Sequence, residues 1–75
     1  MNVPKRKPKY WGSPVPEFDD FNQLIDDIFI NGKTIVSSWA IMTPKSFQRY
    51  GVGLGTDSGQ RYSKQADGQW LKVEG

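Results

Sequence analysis

The chain contains no cysteine and no histidine. Without them there is neither a disulfide framework nor a zinc pattern to staple a small fold. The commonest general base and the thiolate nucleophile are missing as well. Long apolar runs are also absent. The densest, Ile28-Phe29-Ile30, is far too short to span a bilayer. The basic N-terminus "MNVPKRKPKYWGSP" has no apolar stretch after its charges, as a secretory signal would. These absences point to a soluble, cytoplasmic, non-enzymatic protein that calls for no cofactor, no metal and no membrane. At 75 residues it is one domain at most. A chain of this size buries only roughly 60–65% of the surface its unfolded form exposes, so its stability should be modest.

What is present is unevenly distributed. Residues 1–16 carry Lys5, Arg6, Lys7 and Lys9 and no acid, together with four of the five prolines. Proline removes amide donors and biases its neighbours toward extended backbone, so this stretch reads as a flexible basic arm. Residues 17–32 carry Glu17, Asp19, Asp20, Asp26 and Asp27 and no base. Residues 17–75 read as a single α+β domain.

In "PEFDDFNQLIDDIF", Phe18, Phe21, Leu24, Ile25, Ile28 and Phe29 recur at three- and four-residue spacing, which predicts an amphipathic helix over residues 17–29. A competing signal is Asn31-Gly32 between β-branched runs, which favours a hairpin turn in "IFINGKTIV". "KTIVSSWAIM" follows as a strand with apolar residues on both faces, as a central strand would have. "TPKSFQRYG" reads as a short second helix, with Thr43 as N-cap, Pro44 in its first turn and Gly51 ending it. "GVGLGTDSG" holds four of the eight glycines and reads as a flexible loop. It lacks the Gly-Lys-Ser/Thr of a phosphate-binding loop and leads into a strand, where a dinucleotide fingerprint needs a helix. "GQRYSKQADGQWLKVEG" predicts a hairpin. The expected architecture is therefore one helix packed on a three-stranded antiparallel sheet, plus a short second helix.

Two surfaces stand out as candidate sites. In the hairpin, a three-residue loop Ala66-Asp67-Gly68 pairs Lys64 with Trp70 and Tyr62 with Lys72. Leu71 and Val73 then look like core, which places Tyr62, Lys64, Trp70 and Lys72 on an outer face rich in the residue types that interface hot spots favour. A loop one residue longer would separate Tyr62 from Trp70. The second surface is Asp26 and Asp27 near the end of the predicted helix, where negative charge is unfavourable and a basic partner would relieve it. Neighbouring carboxylates on a helix diverge by about 100°, so neither aspartate pair reads as an acid/base dyad.

Two functions from different classes follow. The first is a protein-interaction module of inhibitor or adaptor type, docking through the hairpin face, the acidic helix or both. In composition alone the chain resembles small phage- or plasmid-borne accessory proteins, without a motif to carry the likeness. A homo-oligomer is compatible with such a module. The alternative is a nucleic-acid-binding module. It would use Lys5, Arg6, Lys7, Lys9 and Arg61 for phosphates, and Tyr10, Trp11 and the Tyr62/Trp70 face for bases.

Overall fold

The computed structural model describes residues 8–75. The fold is α+β, with one helix and a four-stranded antiparallel sheet. The strands are β1 (Ile28–Lys33), β2 (Trp39–Met42), β3 (Gly59–Lys64) and β4 (Trp70–Glu74), and α1 (Pro44–Tyr50) joins β2 to β3. The sheet order is β2-β1-β3-β4.

The helix expected over residues 17–29 does not form; residues 17–27 make a compact loop and β1 starts at Ile28. The reason is local. Asp19 turns its carboxylate onto the chain that follows it, and Oδ1 accepts from the amides of Phe21 at 2.9 Å and Gln23 at 2.8 Å. Asp and Asn compete with helical hydrogen bonding in this way, which apolar spacing does not register. Asn22 takes a left-handed φ of 66°, and Ile25 N donates to Glu17 O at 2.8 Å to close the loop. Of the expected apolar stripe, Phe29 is fully buried, whereas Phe18 and Leu24 face each other across the loop and are exposed.

The Asn31-Gly32 turn does not form either. β1 runs straight through it, with Gly32 opposite Ala40 on one side and Gly59 on the other. Glycine serves a close strand approach here, since a Cβ on Gly32 would lie 3.2 Å from the Gly59 Cα. The chain reverses later. Thr34 N donates to Ser38 O at 2.8 Å, and Ser37 adopts a φ of 71°. The strand expected from Lys33 to Met42 is thereby shortened to Trp39–Met42, and it lies at an edge of the sheet rather than in its centre.

The short helix forms as its capping residues predict. The Thr43 hydroxyl accepts from Ser46 N at 3.2 Å, and Pro44 occupies the first turn. Gly51 ends it in extended backbone rather than left-handed; glycine is needed there because a Cβ would collide with the Phe47 ring. α1 packs against β1 and β2, whose shared-face residues Ile30, Met42 and Ala40 are buried.

The N-terminal segment covers the β4 edge of the sheet and part of the β2 edge. At the β4 edge, Trp11 N donates to Trp70 O at 2.9 Å and Lys72 N donates to Lys9 O at 2.7 Å, with Tyr10 opposite Leu71. The stretch expected to be a flexible arm is therefore paired to the sheet from Lys9 onward. The chain then crosses to the far edge, where Asp20 N donates to Ile41 O at 3.0 Å and Asp20 Oδ2 accepts from Ile41 N at 2.8 Å. Asp19 Oδ2 accepts from Thr43 N at 2.8 Å and from the Thr43 hydroxyl at 3.0 Å. Covering edge strands in this way removes a template for aggregation.

Asp19 is only 5% exposed. Burial by itself raises its pKa, but the Ser46 side chain and the amides of Thr43, Gln23 and Phe21 outweigh that and hold it at about 2, below the usual 3.8. A depressed carboxylate contributes stability that is fully present above its unfolded value and is lost as pH falls through the folded one, here between about 4 and 2. Asp19→Asn should cost about 2–3 kcal/mol at neutral pH, because an amide cannot accept at all the positions that the carboxylate fills. Urea unfolding should show the gap between wild type and variant narrowing from pH 4 to pH 2; a constant gap would mean that ionisation of Asp19 contributes nothing.

Candidate functional site

The hairpin forms in the predicted register. Lys64 lies opposite Trp70, Ser63 opposite Leu71 and Tyr62 opposite Lys72. Gln65 N donates to Gln69 O at 2.7 Å, and Gly68 supplies the positive φ, 88°, that the three-residue loop requires. Tyr62, Lys64, Trp70 and Lys72 therefore share a face, but it is not the outer one. Tyr62 is buried and Trp70 half-buried, while Val73 is half-exposed. The expectation that Leu71 and Val73 were core fails for Val73, while Leu71 is half-buried, as Trp70 is.

The inversion has a physical cause in β1. Phe29 occupies the same face as Tyr62, directly opposite it, and the two rings stack at 5.1 Å with 14° between their planes. Trp70 meets Phe29 edge-on at 5.1 Å. Residues two strands apart stand about 10 Å apart across a sheet, so these two rings lean toward each other over β3. Trp11 closes over them from the N-terminal segment, 5.3 Å from both Phe29 and Tyr62 and edge-on to each. Such contacts add about 0.5–1.5 kcal/mol apiece beyond burial. Burial also pushes the Tyr62 hydroxyl above its usual pKa of 10.0. The Tyr/Trp face is thus largely consumed in the core.

The polar members of the face divide. Lys64 is exposed, with Nζ 6.0 Å from the centre of the Trp70 ring. Lys72 is half-buried and leads into an open groove lined also by Lys9, Thr56, Gln60, Glu74 and Gly75. Arg61 pairs with Glu74 at 3.0 Å. Lys5, Arg6 and Lys7 lie outside the described residues. Tyr10 is 47% exposed at the β4 edge, and Trp11 is turned inward. Asp26 and Asp27 are exposed, on the loop entering β1 rather than on a helix. They adjoin the hairpin, since Asp27 O accepts from Lys64 N at 2.9 Å. Among the described residues no three of His, Cys, Asp or Glu converge to hold a metal.

The glycine loop is held by its own backbone. Gly55 N donates to Gly59 O at 2.9 Å and Ser58 N to Gly55 O at 3.1 Å, and the Gln60 side chain donates to Gly55 O at 3.1 Å. Its other end pairs with β1 through Val52 N and Lys33 O at 3.2 Å.

A different exposed surface lies at the β1–β2 turn, and sequence reasoning assigned it to a strand interior. Val36 is 76% exposed, Ile35 65% and Trp39 45%. Val52, also exposed, stands beside them through its bond to Lys33, the cross-strand partner of Trp39. The backbone is open there too. Ile41 turns its N–H and C=O outward to Asp20. Trp39, two residues earlier, points the same way, and among the described residues no backbone hydrogen bond reaches it from outside the sheet. The only cue in the sequence was Ser37-Ser38, which interrupts the apolar run where the turn falls.

Trp70→Ala and Trp11→Ala should each cost about 2–4 kcal/mol of stability, as partly buried core truncations do. Leu71→Ser and Val73→Ser should stay within about 1 kcal/mol. Urea unfolding of the four variants side by side checks the assignment of faces; the reverse ranking would return Trp70 to the surface.

No family model, curated protein or solved structure matches the chain.

Proposed function

We propose that the chain is a non-enzymatic protein-interaction module that docks through the β1–β2 end of its sheet, by accepting an extended segment of another protein along the open backbone at Trp39. The observation that carries this reading is the coincidence of an unpaired edge residue with exposed apolar side chains. The same N-terminal segment covers the sheet edge at Ile41 and stops short of Trp39, and Ile35, Val36 and Trp39 are the side chains exposed around the gap. Strand addition draws its affinity from main-chain hydrogen bonds and its specificity from such flanking side chains. Tryptophan is also enriched among hot spots. The docking surface is thus moved from the hairpin face, whose rings pack on one another, to the opposite end of β1. Asp26 and Asp27, beside Lys64, remain an acidic margin for a basic partner. The absence of histidine and cysteine from the chain supports a binding role rather than catalysis.

The test is capture of partners from nuclease-treated lysate by the wild type and by Val36→Asp and Trp39→Asp, followed by hydrogen exchange on the purified complex. A nuclease-resistant protein that is lost with both variants and that protects the Trp39 amide is the expected result. Unchanged capture by the variants, or a Trp39 amide left unprotected, sinks the edge-pairing idea. Concentration-dependent dimerisation of the chain alone, with the Trp39 amide protected, would replace the foreign segment by a second copy.

A further inference from the structure

We infer that two copies of the chain dimerise by exchanging their N-terminal segments, so that residues 9–11 of one copy pair with β4 of the other and Trp11 enters that copy's aromatic cluster. The segment is held at two places. Asp19 and Asp20 fasten it to Thr43 and Ile41 at the β2 edge. Lys9 and Trp11 fasten it to Lys72 and Trp70 at the β4 edge. Between these anchors, among the described residues, no backbone hydrogen bond fixes residues 12–16, and Gly12, Ser13, Pro14 and Pro16 are exposed. The two anchors are unequal. Four donors reach the buried Asp19 carboxylate, whereas residues 9–11 hold on through two backbone bonds and the Trp11 ring. Asp19 is therefore the pivot, and residues 9–11 are the part that can leave.

The register of the sheet shows how far the connection must reach. Trp11 and Asp20 lie outside opposite edges of the order β2-β1-β3-β4. That is five strand spacings, about 24 Å at the usual separation. They also stand at different levels. Trp11 is level with Trp70 and Lys64, and Asp20 with Ile41, Asn31 and Gln60. Lys64 and Gln60 lie about 13 Å apart along β3. The diagonal is thus about 27 Å, and the chain from Trp11 to Asp20 extends to at most about 30–32 Å. Pro14 and Pro16 hold it extended but cannot lengthen it. Exchange releases this taut connection, because the stretch then leads to a neighbour in place of spanning its own sheet. The contacts made there are the ones given up, since β4, Phe29, Tyr62 and Trp70 of the second copy are identical. Short hinges under tension favour such exchange, which is a low-cost route to dimers. It leaves the β1–β2 end of each copy open and is independent of docking at Trp39.

The chain has no cysteine, so an introduced disulfide reports the pairing directly. Tyr10 and Leu71 stand opposite each other between the two bonds of the β4 edge. Such a non-hydrogen-bonded pair has its Cα atoms about 4.5 Å apart, within the disulfide range of about 4.4–6.8 Å. The wild type and reduced Tyr10→Cys/Leu71→Cys are equilibrated from micromolar to near-millimolar concentration and sized by chromatography with light scattering. Both should pass from one copy to two as concentration rises. The variant's fractions are then oxidised and run on non-reducing gels. The dimer should be linked between chains and the monomer within them. Tyr10→Cys and Leu71→Cys chains refolded together should give covalent pairs of one with the other, whereas Tyr10→Cys with Val36→Cys should not. Inserting Gly-Ser-Gly-Ser after Ser13 slackens the connection and should raise the dimerisation midpoint about tenfold or more, with the near-ultraviolet circular dichroism of the aromatic cluster unchanged. The mass of a single copy at every concentration, before and after refolding, overturns the inference. So does a dimer with disulfides only within chains, as association through the Trp39 end gives, or a midpoint that the insertion leaves in place.

Discussion

The Asp19 carboxylate ties together parts of the chain that have no other reason to meet. One oxygen organises the loop that follows it, through the amides of Phe21 and Gln23. The other holds the amide and hydroxyl of Thr43, the residue that ends the β2 edge and caps α1. A buried carboxylate is costly unless each of its lone pairs is occupied, and here four donors reach it. Its neighbour Asp20 is fixed by the same geometry onto Ile41. Two adjacent acids thus serve to fasten the N-terminal segment to the sheet.

From that anchor the segment reaches across to the other edge, where Trp11 enters the aromatic cluster. Those contacts compensate for a small core. Among the described residues only Phe29, Ile30 and Met42 are fully buried large side chains, which is little for a domain without a disulfide. Enlisting Trp11 adds a large apolar surface and covers the β4 edge in one step. The consequence for binding is that the rings most suited to gripping a partner are occupied with one another. The lysines beside them and the apolar turn at the far end of β1 are what the molecule presents outward.

Much of this was legible in the sequence wherever the signal was local. Thr43-Pro44 marked the start of α1, and Asp67-Gly68 set the hairpin register through to Tyr62 and Lys72, because turn chemistry acts over a few residues. What failed were inferences about partners distant in sequence. The three- and four-residue apolar spacing from Phe18 to Phe29 was real, but Asp19 found Thr43 and the sheet needed Ile28–Lys33 as its central strand. Which face of the hairpin was inner depended on Phe29 and Trp11, neither of which the hairpin sequence mentions. Once Phe29 is known to stand opposite Tyr62, the assignment of faces reverses and the candidate site moves with it.

The clamp formed by the N-terminal segment also sets an order of events during synthesis. Trp11 leaves the ribosome long before Trp70, Tyr62 and the β4 edge on which it settles. β3 and β4 can zip as a hairpin on their own, since their contacts are close in sequence, whereas docking of Trp11 and Asp19 closes large loops and carries their entropy. Of the residues that pair in this clamp, those made first are therefore the last to find their place. Until they do, both sheet edges stand open, so the nascent chain passes through a stage in which it is most exposed to pairing with its neighbours.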